Sequence, residues 1–210
     1  MTKKKPPQEK LLAAACEIFM DKGFRGTTVA EICARAGTNI AAVNYYFGGK
    51  EALYQEAWRH CLTESMRRHP PDGGVSPDAA PEERLRGRMK ALMRRIADPA
   101  NKDFLISQME MVNPTGLLEE VMRKELIPLR EETLAVVREL LGPDADEQRV
   151  VFCEACLVSM CVHPLLMQRV RQKTKKAEAP MFVNDLEAFA EHVVRFALAG
   201  LRATSGEETP

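Results

Sequence analysis

Long uninterrupted apolar runs are missing from the 210 residues, and with them any stretch near the ~20 residues a membrane helix needs. The lysine-rich start lacks the apolar segment that a secretory signal places behind its charges. There is no glycine-rich phosphate loop, no nucleophile elbow with Ser, Asp and His in order, and no His-rich metal motif. An enzyme is therefore not expected, and neither is a cofactor. Strand-type alternation and internal repeats are also lacking. Net charge is zero, so overall balance gives no pull toward nucleic acid, but the charge is unevenly placed. Residues 1–60 hold nine Lys and Arg against six Asp and Glu, a local +3 that leaves −3 for the remainder. A basic head on an acidic body suits a DNA reader joined to a separate sensor. Six Cys without a secretory signal predict reduced thiols. A soluble cytoplasmic protein is the expectation.

What the chain does have is helical periodicity, punctuated by Gly and Pro. Residues Gln8 to Lys22 carry Leu11, Leu12, Ala15, Ile18 and Phe19 on one face, with Gly23 as the stop. From Lys50 to about Arg68, Leu53, Tyr54, Ala57 and Cys61 recur at three- and four-residue steps. The stretch HPPDGGVSPDAAP, residues 69–81, is the clearest loop. Further helices are predicted over Glu82–Ala97, Asp103–Val112, Thr115–Leu141, Asp146–Arg171 and Asn184–Arg202. Pro128 and Pro164 are expected to kink or split the two long ones, because proline removes an amide and clashes one turn back. Three segments are expected to be loose: the arm Met1–Pro7 with Lys3-Lys4-Lys5, the charged stretch Lys173–Ala179 and the tail Ser205–Pro210. The arm reads as a solubilising extension or as one that touches phosphates or the minor groove.

One stretch, TTVAEICARAGTNIAAVNYYFGGK from Thr27 to Lys50, carries the functional signal. Thr28 with Glu31 three residues later spells a capping box. Val29, Ile32, Cys33 and Ala36 then form one apolar stripe, and Gly37 ends the short helix. Thr38 or Asn39 caps a second helix from about Ile40 to Phe47, so the pair reads as a helix-turn-helix. Ile40, Val43 and Phe47 are expected to face the core. Ala41, Ala42, Asn44 and Tyr45 point elsewhere: small side chains permit close approach to a groove wall, Asn can donate and accept at a base edge, and Tyr can reach a phosphate. Lys50, beside the free amides of the next helix start, is placed to hold a phosphate oxygen.

The sequence Phe24-x-Gly26-Thr27-Thr28-Val29, Ile32, Ala36-Gly37 and Tyr46-Phe47-x-x-Lys50-Glu51-x-Leu53 resembles the DNA-binding domain of TetR-family transcriptional repressors. Asn39, Ala41 and Asn44 stand where that family usually has Ser, Gly and a frequent Tyr. The resemblance implies an all-α chain. Its N-terminal three-helix helix-turn-helix domain would span residues 1–52, with a larger ligand-binding and dimerisation domain over 53–205 and a tail at 206–210. The DNA contacts expected are Thr28, Thr38, Asn39, Ala41, Asn44, Tyr45, Tyr46 and Lys50. Further on, Gln108-Met109-Glu110-x-x-Asn113-Pro114-Thr115, followed by Pro128 and Leu129, resembles the C-terminal domain of the family's CecR-like branch.

An all-helical body without a catalytic set suggests a small-molecule pocket between helices. Phe104, Met109, Met111, Met122, Met160 and His163 are its candidate lining, since thioether side chains adapt to varied shapes; ordinary core packing explains them too. Glu110 is expected to pair with Arg94 and Arg95. Ala155, Leu157, Val158, Val162, Leu165, Val193, Val194, Ala197, Leu198 and Leu201 exceed one buried stripe and predict a homodimer face on the last two long helices. The expectation is thus a ligand-responsive repressor reading a palindromic operator as a homodimer. The alternatives are a thiol or metal sensor using Cys153, Cys156 and Cys161, and a helical interaction protein that does not bind DNA. The first is weakened by spacing: Cys161 lies five residues past Cys156, about 500° round a helix of 3.6 residues per turn.

Overall fold

The computed structural model describes residues 6–173 and 183–205; the lysine arm at 1–5, the charged stretch from 174 and the tail at 206–210 lie outside the described residues. Over those described, the fold is all-α, with no strand and nine helices. They are α1 (Pro7–Lys22), α2 (Val29–Ala36), α3 (Ile40–Phe47), α4 (Lys50–Arg68), α5 (Pro81–Ala97), α6 (Asp103–Val112), α7 (Glu119–Leu141), α8 (Glu147–Lys173) and α9 (Leu186–Ser205). The chain divides into two compact units, Met1–Arg67 with Pro99–Glu125, and Arg68–Asp98 with Leu126–Pro210.

In the first unit α1 packs on α2, α3 and α6. The periodic faces supply its core: Leu11, Phe19, Ile32, Val43, Leu53, Tyr54 and Trp58 are all buried. The aromatic set is tight, with the Phe19 and Tyr54 rings edge-to-face at 4.7 Å and Phe24 5.2 Å from Tyr54. Trp58 keeps its one polar atom satisfied by donating Nε1–H to Ser107 Oγ at 2.8 Å, and that hydroxyl donates to the Asp103 carbonyl at 2.8 Å. One correction arises here. Cys16 on α1 and Cys61 on α4, Cα atoms 6.7 Å apart, are joined as a disulfide instead of lying as separate reduced thiols. Their apolar-face positions bring two residues 45 apart in sequence together in the core. Once reduced, Cys16 Sγ has an acceptor in place, the Ala57 carbonyl at 3.2 Å.

The second unit is built on α5, which packs against α8 and α9. Arg94 grips Glu187 through two hydrogen bonds of 2.6 and 2.7 Å, so Arg94 is not the partner expected for Glu110. Lys90 and Arg86 both reach Glu191 and hold its carboxyl down at about 2. Arg88 donates to the Leu129 carbonyl (2.9 Å), Thr133 Oγ1 (3.1 Å) and Glu132 (3.0 Å). Pro128 and Pro164 each sit inside a helix that runs on past them, so neither splits its helix. The expectation about apolar runs also needs correcting. Glu147–Arg169 is, by length and composition, apolar enough to cross a membrane, with mean hydropathy 1.9. Glu154 in its middle, 7% exposed, accepts two bonds from Arg130 at 3.2 and 3.1 Å, and only 28% of the apolar window is buried.

Candidate nucleic-acid interface

Both ends of α2 are closed locally. The amide of Glu31 donates to Thr28 Oγ1 (3.2 Å), and the Thr28 amide donates to Glu31 Oε2 (3.0 Å), completing the capping box. Lys22 adds an ion pair to the same carboxylate at 2.5 Å. With that contact first and the Thr28 bonds next, the Glu31 carboxyl is lowered to about 2. Gly37 turns the chain at φ 64°, ψ 41°, a left-handed conformation that a Cβ would penalise. Its amide donates to Ala34 O and that of Thr38 to Cys33 O, a Schellman closure. Asn39 then starts α3 by accepting the Ala42 amide at 3.0 Å. The turn is thus fixed by residues the sequence already marked.

On α3, Val43 is fully buried and Phe47 half-buried, anchoring the helix on α1 and α2. Ala41, Asn44, Tyr45 and Tyr46 are exposed, Tyr45 at 81%, and the two tyrosine rings meet edge-on at 5.0 Å. Thr28 and Asn39 are also exposed, Thr38 half-buried. Seven of the eight expected contacts therefore lie on the helix-turn-helix, from Thr28 to Tyr46. Lys50 Nζ stands 4.1 Å over the Phe24 ring at the start of α4. Ile40 departs from expectation. It is 53% exposed, because at the first position of α3 it overhangs the turn and has no earlier helical turn beside it. Periodicity cannot register that overhang.

In the same unit is an arrangement that sequence reasoning missed. Glu110, near the end of α6 and 7% exposed, accepts Tyr54 Oη–H (3.1 Å), the Thr115 hydroxyl and amide (both 2.8 Å) and the Gly116 amide (3.0 Å). Burial first, and then the nearby carboxylate, raise Tyr54 above the ordinary phenol range. Thr115 and Gly116 bond to this carboxylate, and the Leu117 amide donates to Thr115 Oγ1, instead of starting α7, which begins at Glu119. Arg25, between α1 and α2, donates to Asn113 Oδ1 (2.5 Å) and Pro114 O (3.2 Å). The signal that could have found this was the acidic residue five positions before Thr-Gly, amides with no helix to join.

The six candidate ligand residues divide between the two units. Phe104 is buried in the first unit, where Met122 is half-buried and Met109 and Met111 are 38% and 67% exposed. Met160, half-buried, and His163, exposed, belong to the second unit. Among the free cysteines, Cys161 is buried and its thiol is pushed up to about 12 by burial, Cys156 is exposed and Cys153 half-buried. No group of three or more His, Cys, Asp or Glu among the described residues is placed to hold a metal ion.

A capped pair of short helices packed on α1, attached to a helical body, defines a helix-turn-helix regulatory protein. Residues 11–57 match the family described as bacterial regulatory proteins, tetR family, and residues 81–201 the HTH-type transcriptional dual regulator CecR, C-terminal domain. The chain belongs to the TetR family, in the branch that carries a CecR-type C-terminal domain. It is 31% identical over 164 residues to the HTH-type transcriptional dual regulator CecR of Shigella flexneri, covering 72% of each chain. It is 30% identical over 132 residues to the transcriptional regulator RutR of Escherichia coli K12, 62% of this chain and 59% of that one. Among solved structures, a putative fatty acid metabolism regulator from Clostridium perfringens superposes with TM-score 0.67 at 16% identity, over 91% of this chain and 97% of that one. FadR from Bacillus halodurans does so with TM-score 0.67 at 18% identity, over 96% and 99%. CecR and RutR are transcriptional regulators by name, and as a member of this family the chain is a DNA-binding transcriptional regulator, not an enzyme.

Proposed function

We propose that the chain is a ligand-responsive repressor that reads a palindromic operator as a homodimer and leaves it when a small molecule binds the helical body. DNA reading is assigned to residues 1–52, effector binding and dimerisation to 53–205. The observation that carries this reading is the bare polar side of α3, with Asn44 and Tyr45 in solvent while Val43 anchors the helix from beneath. Asn44 and Tyr45 meet base edges, and Tyr46 and Lys50 hold phosphates. Thr38 and Ala41 let the backbone approach closely. Asn39 has its side-chain oxygen committed to the cap, so it contributes through its amide nitrogen. Thr28 reaches a phosphate only by turning its hydroxyl away from Glu31, which lies 3.1 Å off.

Dimerisation is supported by α8 and α9. Most of the small and apolar residues picked from the sequence are spent inside the unit: Leu157, Leu165, Val193, Val194, Ala197, Leu198 and Leu201 are buried. Val151, Phe152 and Phe196 nonetheless remain 37%, 60% and 65% exposed on the same two helices, beside exposed Ala155. A second copy covers that face and sets two recognition helices roughly 34–36 Å apart, one turn of duplex. Family members bind DNA and small-molecule effectors, typically as dimers. A gel-shift with DNA from upstream of its own gene is expected to give a complex that Asn44→Ala and Tyr45→Ala weaken; no complex at low salt would sink the reading. By linkage, effector must weaken DNA binding by the same factor that DNA weakens effector binding, measured at one salt concentration.

A further inference from the structure

Ile40 is a bulky apolar side chain left in solvent at the head of α3, 53% exposed, on a helix whose other solvent-facing residues are alanine, asparagine and tyrosine. It does not stand alone. Together with Ala30, Ala34, Ala41 and the wall made by Cys33, it borders a shallow apolar depression of about 550 Å³ between α2 and α3. Both helices there are fixed by their own caps, through Thr28–Glu31, the Gly37 turn and Asn39, so the depression is held open by the backbone. Exposed Asn44 and Tyr45 follow about one turn further along α3. The first turn of a recognition helix is the part that reaches deepest into the major groove. The only apolar feature that duplex DNA offers there is the 5-methyl group of thymine.

We infer that Ile40, with Ala41 and the small residues of α2 behind it, forms a thymine-methyl reader, making Ile40 a specificity-determining residue. The inference rests on the DNA-reading role proposed for α3. Asn44 supplies hydrogen-bond readout, and Ile40 sorts T from C, and A·T from T·A, at the neighbouring pair by apolar contact. Asn39 and Thr38 cannot replace it, since the Asn39 oxygen is held by the Ala42 amide and the Thr38 hydroxyl is buried.

The test uses the full chain and duplexes enriched by it from a random pool. Thymines in the enriched duplex are replaced one at a time by deoxyuridine, which removes the methyl group and leaves every hydrogen-bonding edge intact. For the unmodified chain, one or two positions per half-site are expected to lose about fourfold in affinity, the worth of one buried methyl-sized group. Ile40→Ala is expected to bind the thymine and deoxyuridine duplexes equally, and Ile40→Val to retain part of the difference. Indifference of the unmodified chain to every deoxyuridine replacement overturns the inference, as does the same loss in Ile40→Ala. If Ile40→Ala instead changes the association state of the free protein, the patch is a protein contact and the inference also fails. Failure to enrich any duplex, or an enriched duplex bound equally by Asn44→Ala, brings down the DNA-reading role itself and is recognisable as that separate result.

Discussion

Lys50 shows how one side chain serves two neighbours. Its ammonium lies 4.1 Å from the centroid of the Phe24 ring, a half-buried cation–π contact worth about 0.5–1 kcal/mol, and in the DNA-reading role proposed above the same charge holds a phosphate. Lys50→Ala is therefore expected to weaken binding to all duplexes alike and to flatten the plot of log affinity against log salt by about one unit; loss confined to the cognate operator would remove its phosphate role. Glu31 gives a test in pH. Its folded carboxyl is lowered from 4.5 to about 2, and a depressed carboxyl contributes stability above the unfolded value that is lost as pH falls toward the folded one. The melting-temperature gap between the unmodified chain and Glu31→Gln is expected to be constant above pH 5 and to close between 4.5 and about 2. A gap that persists at pH 2 would show that the cap does not depend on the charge.

Helix limits were legible because Gly, Pro and the capping residues mark chain ends through local chemistry. The Thr28 box, the Gly37 turn and the Asn39 cap needed nothing from outside their own turn. What escaped sequence reasoning depended on partners elsewhere. Tyr54 and Glu110 meet across 56 residues, and Cys16 and Cys61 across 45. Ile40 was misplaced because periodicity assigns a face but not how far a helix end overhangs its support. On α8 the cysteines divide by the same burial logic. Cys161, buried with its thiol up at about 12, is expected to resist alkylation in the native state, and exposed Cys156 to react quickly. Fast modification of both would reopen the thiol-sensing alternative.

For the molecule as a whole, most of the side chains picked from the sequence for self-association on α8 and α9 are covered within the chain itself. Amphipathic patterning counts apolar residues and cannot say which ones the chain's own helices will cover. Phe152 and Phe196 are the largest left bare on these two helices, beside Val151 and Ala155. Phe196→Glu is expected to shift sedimentation at micromolar concentration toward the monomer and to weaken operator binding steeply, with melting little changed because the side chain is 65% exposed. A dimer that survives both Phe152→Glu and Phe196→Glu would place the interface on another face.

Between the last residue of α3 and the first of α4 there are only Gly48 and Gly49, the former at φ 78°, where a Cβ would be strained. A joint this short leaves few backbone torsions between the two helices. Whatever tilt α4 adopts, the reading head inherits almost in full, like the hand of a clock pinned straight to its arbor. On the ligand-responsive reading proposed above, one extra glycine at that joint would add slack, leaving a protein that still grips DNA but answers its effector less.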